Sequence, residues 1–186
     1  VTLANPALLQ WKDDSLVGGM QKINEVEKPR VGALDFVQRA PNDMLGVSKQ
    51  IGQALKDEKS SVEYLPFQFS QSLKIVARMI EAEVPTRVYY VSLGGFDTHA
   101  GQKMRHLALL QEFGDGLSSF VRDLKARGQL DRTLIMSFSE FGRRVAENKS
   151  LGTDHGTAGP MFLAGGSVKP GLHGANPDLS KLTAGG

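Results

Sequence analysis

Cysteine is absent from the 186 residues. That excludes thiol catalysis, zinc-thiolate sites and disulfides. It leaves the compartment open, because a secreted domain of this size can build a core without bridges. A charge excess is also lacking: 22 Lys and Arg stand against 20 Asp and Glu, a net +2. There is no run of basic residues and no RNA-binding aromatic motif, so nothing argues for nucleic acid or an acidic membrane surface. No apolar stretch approaches the roughly 20 residues that cross a bilayer. Repeats and low-complexity segments are missing as well. What remains is 40% hydrophobic, enough for one domain with a real core.

Helical periodicity dominates the first third. Leu16, Met20, Ile23 and Val26 recur at spacings of three or four until Pro29. Ala33, Phe36, Val37 and Ala40 restart the pattern up to Pro41. Asn42 or Asp43 is a candidate cap for a helix facing inward with Met44, Val47, Ile51 and Leu55. Residues 1–65 therefore read as a helical segment and 66–186 as the core carrying the candidate site. In that core, Phe69, Leu73, Val76, Ala77 and Ile80 predict a helix ending before Pro85. A second, long helix is expected from about Gln102 to Arg127, with Leu107, Leu110, Gly114, Leu117, Val121 and Leu124 buried and Gly128 as its stop. Arg87–Leu93 and Thr133–Phe138 are short and almost wholly apolar, which predicts buried strands paired in parallel across the helix. A loop with polar clusters and a short strand at Met161–Ala164 follow, and the Gly- and Pro-rich tail from Gly165 reads as loop.

Chemistry-bearing residues gather where those strands end. Gly94-Gly95-Phe96-Asp97-Thr98-His99 follows the first strand-like run. Asp97 and His99, two apart in a loop, are able to converge on one ion, and carboxylate with imidazole is a usual divalent ligand set. Glu140 follows the second run; a lone buried carboxylate is costly, so it is a metal ligand, a base, or the partner of Arg143 or Arg144. Gly142 suits a helix start, whose N–H groups would favour a nearby anion, and Arg143 is a candidate anion contact. In Gly152-Thr153-Asp154-His155-Gly156, His155 is the ligand candidate; Asp154 either caps a turn or orients a neighbouring histidine. His106 reads as a surface residue, and nothing positions His173.

Taken in order, Gly95-Phe96-Asp97-Thr98-His99, Ser139-Glu140-Phe141-Gly142-Arg143 and Gly152-Thr153-Asp154-His155-Gly156 resemble the bacterial domain-of-unknown-function 1501 family. Ala164-Gly165-Gly166-Ser167-Val168-Lys169 fits its Gly-Gly turn before Val-Lys, and the resemblance runs from about Tyr64 to Pro177. Through that family it extends to the alkaline phosphatase and sulfatase superfamily. It implies an α/β three-layer sandwich with a mostly parallel central sheet, incomplete in this chain. It also implies a divalent metal (zinc, magnesium, manganese or calcium) on Asp97, His99 and His155, with Glu140 as the acid of a second metal site. Glu140 and Arg143 are then the candidate catalytic residues, and a small anionic phosphate or sulfate ester is the expected substrate. The alternative is a non-catalytic surface module that keeps the metal. Family members often carry export leaders, which implies the periplasm or cell surface. The match has departures: Asp97-Thr98-His99 is more tightly spaced than usual, and Glu140 precedes Phe141 where Asp-His is usual. The superfamily's nucleophile and a further metal-binding Asp belong to an N-terminal half that nothing before Tyr64 matches. Together with a start at Val1, this reads as the C-terminal portion of an α/β domain, or else as a mature chain whose leader was removed. Ser92, Ser137 and Ser139 lack an evident base partner, so the chain by itself is expected not to cleave esters.

Overall fold

Two amphipathic periods become two helices. The computed structural model describes residues 46, 49–53, 56 and 62–182. Helix α1 (Gln68–Glu81) buries Phe69, Leu73, Val76 and Ala77, the face its spacing predicts. It ends where the sequence places the stop: Glu83 N–H donates to the Ile80 carbonyl and Val84 N–H to Met79, with Glu83 at φ 50°. This pair of bonds is the Schellman closure, and Pro85 follows. Helix α2 (Gln102–Ala126) closes the same way, with Gly128 N–H on Lys125 and Gln129 N–H on Leu124. Gly128 holds φ 68°, a conformation open to glycine without steric cost.

The described residues form two compact units. In one, Ile51, Met79 and Val84 make a buried cluster with Ile75 and Tyr89 against it. Val84 and Met79 are the two apolar positions that commonly meet across a Schellman closure. Ile51 is helical and buried, as the sequence predicts. The expected helix faces before Pro41, with Asn42, Asp43, Met44, Val47 and Leu55, lie outside the described residues.

The other unit contains residues 62–71 and 92–182. There, residues 62–71 pack on the C-terminal half of α2. Gly116 makes this possible, since a Cβ at that position would sit 2.9 Å from the Phe69 ring. Phe69 stacks on Phe113 at 5.9 Å between centroids. Tyr64 donates its hydroxyl hydrogen to Asp123 Oδ2 at 3.0 Å, and Arg127 Nε donates to Asp123 Oδ1 at 2.7 Å. This polar anchor rotates the buried face of α2 away from the apolar stripe. Gly116, Ser119, Phe120, Asp123 and Leu124 are buried, while Leu107 and Leu110 stay 57% and 47% exposed.

Burial, and then the Asp123 carboxylate, push the Tyr64 hydroxyl well above its usual pKa of 10.0. The folded value is raised, so the stabilisation is complete below pH 10 and is lost as pH rises through the folded value. Tyr64→Phe is expected to lower stability by about 1–2 kcal/mol at pH 7. It should also flatten the fall in melting temperature above pH 10; an unchanged alkaline limb would contradict the assignment.

The sheet differs from the expected sandwich. Strand β1 (Ile135–Ser137) pairs antiparallel with β4 (Phe162–Ala164), Met136 opposite Leu163. Strand β2 (Gly142–Glu147) pairs antiparallel with β3 (Thr153–Gly156), Arg143 opposite His155. Among the described residues these are two separate two-stranded ribbons, with no parallel central sheet. The three-layer, alkaline-phosphatase-like fold expectation is thereby overturned. Arg87–Leu93 forms no strand beyond a single bridge residue, Tyr90, and Val88 is 77% exposed. Thr133–Phe138 shortens to β1, and Leu134, Met136 and Phe138 are exposed rather than buried. An apolar run signals that a strand is fit for burial on both faces, but it does not name the direction of its partner. Gly142 starts a strand rather than a helix, and the expected loop of polar clusters is the β2–β3 hairpin. No helix of the described residues is long and apolar enough to cross a membrane.

Candidate metal centre

The centre is made by the loop before α2 and by the β2–β3 hairpin. In the loop, Thr98 is buried, and its N–H closes on the Phe96 carbonyl at 2.8 Å. Burying the middle residue of Asp97-Thr98-His99 leaves both flanking side chains exposed on the other side. The hairpin crosses this loop. Gly101 and Gln102 donate their N–H groups to the carbonyls of Ser150 and Leu151, at 2.9 and 2.8 Å. The turn thereby satisfies N–H groups at the start of α2, a helix whose N-cap Gly101 makes no side-chain bond. Thr153 Oγ1 adds a bond to Gln102 Oε1 at 2.8 Å.

Close approach brings three ligand-type atoms together. His155 Nε2 lies 2.7 Å from Asp97 Oδ1, His99 Nε2 lies 2.9 Å from the same oxygen, and the two Nε2 atoms are 3.3 Å apart. Among the described residues these three are the group able to hold a metal ion. Asp154 sits behind them, with Oδ1 3.2 Å from His99 Nδ1. An ionised carboxylate only accepts, so Asp154 calls for a proton on Nδ1 and Asp97, at 2.9 Å, calls for one on Nε2. The hydrogen bond from His155 holds the Asp97 carboxyl below its usual pKa, with the nearby imidazoles and Arg143 adding to the effect. Asn148, and then His99, do the same for Asp154. A neutral His99 carries one proton and meets one of these two demands. One proton on His155 Nε2 cannot satisfy every contact, whereas a cation among the three atoms would.

The residues fit a metal. Bonds of about 2.1 Å at right angles separate donor atoms by about 3.0 Å, and tetrahedral bonds by about 3.4 Å. The observed 2.7–3.3 Å spans the first and approaches the second. Two imidazoles and one carboxylate suit a transition metal or zinc better than magnesium or calcium, which prefer oxygen. The three side chains are 47–60% exposed, so coordination positions remain open toward solvent.

Other sequence candidates take different places. Glu140 is exposed and outside the converging group. Arg143 acts as a clamp: its guanidinium donates to the carbonyls of Phe96 and Thr153 and lies 3.4 Å from Asp97 Oδ1. His106 is half-buried, edge-on to Phe96, and His173 bonds the Lys169 carbonyl. Two residues escaped sequence reasoning. Phe141 stacks on His155 at 3.9 Å and 8° between planes, and carries Arg143 over its ring at 5.0 Å. Asn148 bonds both Asp154 and the His99 carbonyl. The signal for Asn148 was its place before Lys149-Ser150, where an asparagine accepts the N–H two residues on.

A family model described as "Protein of unknown function (DUF1501)" matches residues 21–184. No curated protein and no solved structure matches the chain.

Proposed function

We propose that this chain, which belongs to the DUF1501 family of proteins of unknown function, holds a divalent metal on Asp97, His99 and His155 and serves hydrolysis of a small phosphate or sulfate ester. The observation that carries the metal is the convergence of three ligand atoms within 2.7–3.3 Å, one of them oriented by Asp154. Zinc or manganese is the proposed ion. When bound, such an ion supplies Lewis acidity and a water that ionises near neutral pH.

The chain's own residues do the rest. Asp154 holds the His99 tautomer, Phe141 fixes the plane of His155, and Arg143 ties the Asp97 loop to β3. Arg144 is exposed, with Nε 3.4 Å from the His155 carbonyl, and is the contact proposed for an ester's anionic group. Kinship with the alkaline phosphatase and sulfatase superfamily belongs to this proposal and rests on the ligand set, not on the sheet. So does a periplasmic or cell-surface location. The competing reading is a surface module that keeps the metal without turnover. It is favoured by Arg143, which spends its guanidinium on backbone carbonyls, and by Glu140, which stands apart from the group.

Equilibrium dialysis against zinc and manganese tests the metal, with one bound equivalent expected; no retention at micromolar ion would overturn it. Turnover of aryl phosphate and sulfate esters by the metal-loaded protein then separates the readings. Metal-dependent turnover supports the hydrolase, and tight metal binding with no turnover of either ester supports the module.

A further inference from the structure

We infer, given the metal reading of the site, that Asn148 is the positioning residue that fixes the metal-facing orientation of His99. Its side-chain amide has two donors and two acceptor lone pairs, and all four are used. Oδ1 accepts from Ser150 N–H at 2.9 Å and Gly152 N–H at 3.1 Å. Nδ2 donates to the His99 carbonyl at 3.0 Å and to Asp154 Oδ1 at 3.1 Å. That same Asp154 oxygen faces His99 Nδ1. One amide therefore holds His99 at both ends, the main chain directly and the ring through Asp154.

The chemistry selects asparagine. Aspartate would keep the turn, because its oxygens still accept from Ser150 and Gly152. It would offer no donor, however, and would set a second negative charge against Asp154. Serine is too short to span the carbonyl, the carboxylate and the turn together. A residue needed only for the turn would tolerate aspartate, since both residues make the turn that bonds the chain two positions on.

The test is Asn148→Asp in the full chain, with cobalt(II) as the probe. Outer partners of a ligating histidine commonly carry 10–100-fold in metal affinity, and cobalt affinity is expected to fall by about that factor. Circular dichroism should not change. In metal-free protein, long-range proton–nitrogen spectra should show a larger share of the His99 Nδ1–H tautomer in the wild type than in the variant. Lys149→Ala, one residue along the same turn, should alter neither readout. Cobalt affinity within about twofold of wild type together with an unchanged His99 tautomer would overturn the inference. A wild-type chain that fails to bind cobalt would overturn the metal reading instead, and the tautomer comparison would still decide whether Asn148 orients His99.

Discussion

His155→Ala is expected to weaken zinc or cobalt binding by more than about 100-fold, since a first-sphere ligand should exceed the 10–100-fold carried by outer partners. Three protein ligands leave no spare donor in the group. The loss also removes the ring that Phe141 stacks on at 3.9 Å. His173→Ala is the matched control, because His173 bonds the Lys169 carbonyl in the tail. Isothermal titration of both variants checks the expectation, and equal affinities would remove His155 from the ligand set. Asp97 has its pKa depressed, so the stabilisation from its charge is present above the ordinary carboxylate value of 3.8. It is lost only as pH falls through the lower folded value.

Gly152→Ala is expected to damage both the fold and the site. A Cβ there would overlap the His99 carbonyl group and lie 2.6 Å from Ala100 N. Both obstacles are backbone, so no rotamer relieves them. Forcing extra volume into such a contact costs about 2–3 kcal/mol, a fall of roughly 5–10 °C in melting temperature for a chain of this size. His99 moves with the displaced loop, so metal affinity should fall in the same variant. Gly159→Ala is the comparison: its nearest neighbour would lie 3.7 Å away, which is ordinary contact. If Gly152→Ala melts with Gly159→Ala, the close crossing of hairpin and loop is wrong.

The helices and three of the site residues could be read before the structure because they rest on local information. A 3.6-residue period with a stop signal gives α1 and α2 nearly to the residue. Asp97, His99 and His155 were found by ligand type and placement, and the alternative of Asp154 orienting a histidine is the one the geometry displays. The hairpin was hidden because Gly142–Glu147 has no apolar alternation. Its pairing is set by close backbone approach, since a Cβ at Gly156 would lie 2.6 Å from the Arg143 backbone, and by the Asn148 turn. Arg143 was read as an anion contact because a sequence cannot show that carbonyls 47 and 10 residues away will take its donors. The parallel sheet was an inference from the helix between two apolar runs and from family resemblance; the crossover argument fails because Arg87–Leu93 forms no strand and β1 pairs with β4 instead. The buried face of α2 was misplaced because Tyr64 and Asp123, 59 residues apart, decide it through a polar bond.

The β1–β4 ribbon sets how this chain behaves in bulk. Met136, Phe162 and Leu163 are 49–56% exposed on a ribbon that is two strands wide among the described residues. Exposed apolar strands are templates for further strand addition. A net charge of +2 supplies little mutual repulsion to oppose it. Self-association at rising concentration is therefore the expected behaviour, and light scattering across a concentration series checks it. Added salt, which screens what repulsion there is, should strengthen it, so metal titrations belong in dilute, low-salt buffer.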